Sequence, residues 1–150
     1  MVQALKKKLK SEKGFTLIEL LAVIVILGII AAIAVPSVMN IMNNSKKDAQ
    51  LANAQEMVNS AKLYIANNNI QVTTTAQSVS MSALNTAGVL DTVKDPSGVG
   101  YDTTNSVVSY KLAASGDSTV VYTVTLKNTT PSTYLSGDIS TLSRTSVTLP

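Results

Sequence analysis

The chain has 150 residues, which allows one ordinary domain, and it contains no cysteine, histidine or tryptophan. That excludes disulfides, a thiolate nucleophile, Cys/His zinc sites, a histidine-based triad and a lipid anchor on an N-terminal cysteine. The formal net charge of +3 is unevenly spread: Lys6, Lys7, Lys8, Lys10 and Lys13, opposed by Glu12 alone, put +4 into the first thirteen positions and leave −1 for the rest. Basic character is thus confined to a short N-terminal tag. The near-neutral remainder, with only 4% aromatic residues, makes nucleic acid an unlikely partner.

Residues 1–14 form that lysine-rich leader. Phe15 to Val35 follows, 21 residues with Glu19 as the single charge. A hydrocarbon core needs about 20 apolar residues in helical form, so residues 15–36 are expected to be a hydrophobic transmembrane helix. The lysines before it predict an N-terminus in the cytoplasm and the remainder outside.

From residue 37 to 68 the spacing predicts an amphipathic helix. Leu51, Ala54, Val58, Ala61 and Ile65 fall three and four apart, Met57 and Tyr64 widen the stripe, and Lys46, Lys47, Asp48, Gln50, Glu56 and Lys62 suit the other faces. Asn67-Asn68-Asn69 is a stop signal, because asparagine tolerates the left-handed conformation at helix ends. A helix continuous from Phe15 to Asn68 is too long for a domain of this size to bury. Its apolar half therefore belongs in a membrane or among copies of itself.

Residues 69–105 predict a loop, broken by Pro96, Gly98 and Gly100. Residues 106–150 predict a small antiparallel sheet. Alternation marks strands at Val107–Leu112 and Thr119–Leu126, joined by a Ser115-Gly116-Asp117 turn, and a third strand at Thr145–Leu149. Together these segments predict an α+β head, residues 37–150, with a long helix packed on the sheet.

Lys13-Gly14-Phe15-Thr16-Leu17-Ile18-Glu19, set between the basic leader and the apolar run, resembles the processing signature of the type IV pilin family. Pro36, the twenty-second residue counted from Phe15, agrees with it. The resemblance implies a type IV pilin fold and a structural subunit, a major pilin rather than an enzyme, that polymerises into surface pili supporting adhesion, twitching motility, aggregation or DNA uptake. It implies cleavage between Gly14 and Phe15 by a membrane-embedded prepilin peptidase and N-methylation of Phe15. It also implies pairing of Glu19 with the Phe15 amine of a neighbouring subunit, a helix break between Gly28 and Pro36 in the filament, and an assembly platform with its ATPase as partners. No cofactor or metal is implied.

Other readings stand beside this one. A type II secretion pseudopilin shares every N-terminal feature. Ala32-Ile33-Ala34 is a small-x-small site that would suit an ordinary secretory signal, although Glu19 and the length of the apolar run oppose it. A plain membrane anchor of a surface protein is a further possibility. Glu19 could also be a carboxylate snorkelling to the interface, but its position relative to Gly14 favours the pairing.

In the head, Lys94–Tyr101 resembles the Asp-Pro-x-Gly loop of pilins and pseudopilins, which in the latter often lies beside calcium. Asp91, Asp95, Asp102 and Asp117 are the available carboxylates, but their spacing fits solvated loop acids better than a calcium loop. Asn43-Asn44-Ser45 and Asn128-Thr129-Thr130 match the N-glycosylation triplet. The absence of cysteine excludes the disulfide that closes the C-terminal loop in many pilins, which suits a Gram-positive type.

Overall fold

The computed structural model describes the backbone of residues 2–130 and 132–150 and the side chains of residues 17–130 and 132–150. The chain divides into two compact units, Met1–Met42 and Asn43–Pro150. Helix α1, Val2–Asn67, contributes to both. Within the first unit, large apolar side chains from Leu17 to Met42 are exposed, and Val38, Met39, Ile41 and Met42 extend that surface past Pro36. The expected head boundary at residue 37 therefore falls short of the division after Met42. The physical reason is that these four side chains find no cover within their own unit.

The second unit is the α+β head. Its sheet has the order β1-β2-β3-β4, with β1 at Gln77–Ser80, β2 at Val107–Leu112, β3 at Val120–Lys127 and β4 at Thr133–Asp138, and every neighbouring pair is antiparallel. Ala54, Met57, Val58, Ala61 and Ile65 of α1 are buried in one core with Val108 and Tyr110 of β2 and Val124 and Leu126 of β3. Each such valine, leucine, isoleucine or methionine side chain contributes about 1.5–3 kcal/mol when removed from water. The predicted helical stripe is thus the face that carries the core, with Leu51 and Tyr64 at its half-buried margins.

The helix stops where asparagine permits. Asn69 takes a left-handed φ of 50°, and the Ile70 amide donates to the Ile65 carbonyl at 3.0 Å. The β2–β3 hairpin also forms as expected, with Gly116 at φ 84° supplying the turn conformation that a side chain would resist. Residues 69–105, expected as a loop, also carry β1 and a short helix α2, Met81–Thr86, capped by Ser80, whose hydroxyl accepts from the Ala83 amide. Six residues are too few to show helical periodicity in a sequence.

The third strand lies elsewhere than predicted. It is β4 at Thr133–Asp138, whereas Arg144–Ser146 forms a 3-10 turn and Thr145–Leu149 is not a strand. A bulge explains the miss. Leu135 pairs with Leu126 and Thr133 with Lys127, so Tyr134 is an extra residue on β4, and Tyr134 and Leu135 are both buried. The bulge breaks the period-two pattern that would have revealed the strand.

A head beginning at Asn43 is expected to be soluble and monomeric, because it retains the helical stripe and its sheet while losing the exposed apolar surface. Size-exclusion chromatography and far-UV circular dichroism check this. A version beginning at Ser37, which keeps Val38, Met39, Ile41 and Met42, is expected to self-associate more.

Candidate functional site at the apolar helix

Leu17–Asn67 is long and apolar enough to cross a membrane, and none of its most apolar window is buried. The local sequence accounts for the helix. Leu, Ile, Ala and Val fill it, and there is nothing for these side chains to pack against in their own unit. Leu17 is 68% exposed, Ile18 63% and Ile33 72%. An apolar surface of this extent on a water-soluble monomer would be anomalous, and it marks a surface that another apolar medium covers.

Glu19 sits exposed in the first turn of this segment. Its helical neighbours three and four positions on are Ala22 and Val23, and one turn back lies Phe15. Gly14 and Phe15 belong to helix α1, but their side chains lie outside the described residues. Glu19 and the Gly14–Phe15 bond therefore lie on adjacent turns of one helix.

Gly28 and Pro36 both lie inside continuous helix in the isolated chain. The break assigned to them concerns the assembled filament, and the isolated helix runs through it. Pro36 has no amide hydrogen to offer the Ala32 carbonyl, so this turn is held by one hydrogen bond fewer. A Cβ placed on Gly28 would meet nothing within 4 Å, so no contact within the chain requires glycine there.

The head holds a second constellation that sequence reasoning missed. Asp95 Oδ1 accepts from Gln50 Nε2 at 2.7 Å and from the Ser97 amide at 2.9 Å. Its Oδ2 accepts from Tyr134 OH at 2.6 Å, the Gly100 amide at 2.9 Å and the Val99 amide at 3.1 Å. Tyr101 OH donates to Gln50 Oε1 and accepts from Asn53 Nδ2 at 2.8 Å, and Asn53 also reaches the Lys94 carbonyl at 3.1 Å. The Tyr101 and Tyr134 rings meet edge to face, 5.9 Å apart.

Gln50, assigned to a solvent face by its polarity, is fully buried at the centre of this network. Asp95 is likewise no solvated loop acid. Burial pushes its carboxyl upward, but the donors from Tyr134, Ser97, Gly100 and Gln50 outweigh that and hold it below the usual carboxylate range. Burial also raises the Tyr101 and Tyr134 phenols, so both remain protonated donors.

Two of the other candidate aspartates serve their own turns. Asp102 accepts from the Thr104 and Asn105 amides, and Asp117 accepts from the Thr119 amide. Among the described residues no three His, Cys, Asp or Glu side chains converge as a metal site. Of the two glycosylation triplets, the one at Asn128 is closed. That side chain is 1% exposed, and its Oδ1 accepts from the Ser132 amide at 3.0 Å.

Residues 9–35 match the family model described as the prokaryotic N-terminal methylation motif. This is the class III signal peptide typical of type IV pilins. No curated protein and no solved structure matches the chain. The motif supports a type IV pilin-like or pseudopilin precursor, and it implies processing by a prepilin peptidase and assembly into pilus-like polymers. The apolar helix fits membrane anchoring before assembly.

Proposed function

We infer that this chain is a major pilin, a structural subunit that polymerises into type IV pili on the cell surface. The observation that carries this is the exposed apolar helix surface from Leu17 to Met42, placed directly after a methylation motif and interrupted by one carboxylate, Glu19. Before assembly the helix rests in the membrane, its N-terminus on the cytoplasmic side with the lysines. The peptidase hydrolyses the Gly14–Phe15 bond and the new amine of Phe15 is methylated. Cleavage removes the +4 leader and frees the helix to leave the bilayer. The apolar helices then cover one another in the filament core, and the heads form the outer surface. Loss of helix between Gly28 and Pro36 lets neighbouring helices adjust as they pack. The assembly platform and its ATPase drive the transfer.

Two measurements test this. Mass spectrometry of the mature protein is expected to show a chain starting at N-methylated Phe15, whereas a chain starting at Val35 would establish an ordinary secretory signal cut after Ala34. Electron microscopy of cells with and without this chain is expected to show long surface filaments that disappear with it. Short periplasmic assemblies alone would assign the chain to a secretion pseudopilin instead.

A further inference from the structure

Beyond β4 the chain turns back across the head. Asp138 Oδ1 accepts from the Ser140 amide at 2.9 Å, and Leu142 comes so close to Gly137 that a Cβ there would meet its Cδ2 at 3.1 Å. Arg144 then reaches Asp48 on α1 with both arms of its guanidinium, Nε to Oδ1 at 2.6 Å and Nη2 to Oδ2 at 2.5 Å. Val147 is buried, and the Thr148 amide donates to the carbonyl of the bulge residue Tyr134 at 2.8 Å. β4 ends the sheet order, so this bond places the C-terminal segment against an otherwise open strand edge.

Three observations separate this segment from the rest of the head. Val147 is its only fully buried apolar residue, while Ile139, Leu142 and Leu149 are partly buried. The chain has no cysteine, so no disulfide closes the loop. The Asp48–Arg144 pair, the only ion pair among the described residues, spans 96 positions, and its two side chains are 48% and 52% exposed. A two-armed pair fixes direction and register, yet in water it is weak enough to open.

We propose that Asp48 and Arg144 form a detachable clasp that seats residues 139–150 on the edge of β4, and that opening the clasp releases this segment while the remainder of the head stays folded. The exposed Arg144 side chain is then free, and the Tyr134 carbonyl loses its donor. The clasp holds without a covalent bond the loop that would otherwise leave a strand edge open to pairing with another chain.

Trypsin digestion of the full chain in detergent micelles tests the clasp, because the Arg144–Thr145 bond is a trypsin site only when the guanidinium leaves Asp48. In Asp48→Asn, cleavage after Arg144 is expected to accelerate about fivefold, the upper end for an exposed ion pair, with cleavage after Lys111 and Lys127 unchanged. Asp48→Glu should recover part of the protection. Hydrogen exchange at the Thr148 amide should rise in Asp48→Asn together with the cleavage. Equal cleavage rates in the unmodified chain and Asp48→Asn would overturn the proposal. So would a parallel rise at Lys111 and Lys127, which would make the pair a contributor to global stability only, or a Thr148 amide that stays protected.

Discussion

Glu19→Gln is expected to abolish filaments while leaving membrane insertion and leader removal intact. Insertion depends on the lysines and the apolar run, and cleavage on Gly14 and Phe15, none of which this change touches. Assembly is different. Leu17, Ile18, Leu20 and Leu21 around Glu19 are all more than half exposed in the isolated chain, so packing helices together buries the carboxylate with them. A carboxylate in such surroundings needs a counter-charge. In the proposed filament the amine of Phe15 in a neighbouring subunit would supply one, at an attraction of about 4 kcal/mol for a 4 Å separation and an effective dielectric of 20, before desolvation is subtracted. Glutamine matches the shape but leaves that amine uncompensated, a cost of about 3–5 kcal/mol at each subunit. Filament counts should fall to background, with mature subunit accumulating in the membrane fraction. Normal filaments from this variant would show that Glu19 merely snorkels to an interface.

Pro36 bears on the same assembly step. The hydrogen bond missing at Ala32 already weakens the helix there, and Gly28 lacks the side chain that would stiffen it at the other end. In the proposed filament both would let neighbouring helices adjust as they pack, the step in which Glu19 would find its counter-charge.

The apolar helix and the motif at its start were legible because their signals are local. The apolar run, its one charge and its proline sit within a few turns of one another, and the helical stripe from Ala54 to Ile65 repeats at short range. The Asn69 stop and the Gly116 turn are local too. What was illegible depends on distant partners. Gln50 is polar, and nothing in its own helix says that it is buried, since Asp95 and Tyr101 reach it from 45 and 51 positions away. β4 was hidden by its bulge at Tyr134. Thr145–Leu149 alternates well but forms no strand. Its alternation reports the burial of Val147, which is a tail residue seated on a sheet edge.

Asp95→Ala is expected to be the most destabilising single change in the head outside the apolar core. The carboxylate receives five donors, three from the backbone of its own loop and two from Gln50 and Tyr134. Alanine leaves all five without their acceptor. Water reaches part of the loop, but Gln50 is fully buried and cannot recover a partner. A loss of about 2–4 kcal/mol follows from stranding these groups. For a head of this size that lowers the melting temperature by roughly 10–20 °C. Tyr134→Phe removes one of the five donors and should cost only about 1 kcal/mol. The pH dependence gives a second check. Because the folded carboxyl titrates below its ordinary value, its stabilisation is complete above about pH 4, where the unfolded carboxyl is ionised, and is lost as pH falls through the depressed folded value. The gap in melting temperature between the unmodified head and Asp95→Ala should therefore be constant from neutral pH down to that point and narrow below it. Thermal melts of the head beginning at Asn43 measure both. A gap that stays constant into strong acid would mean that the charge of Asp95 contributes nothing and that the neutral carboxyl holds the loop equally well.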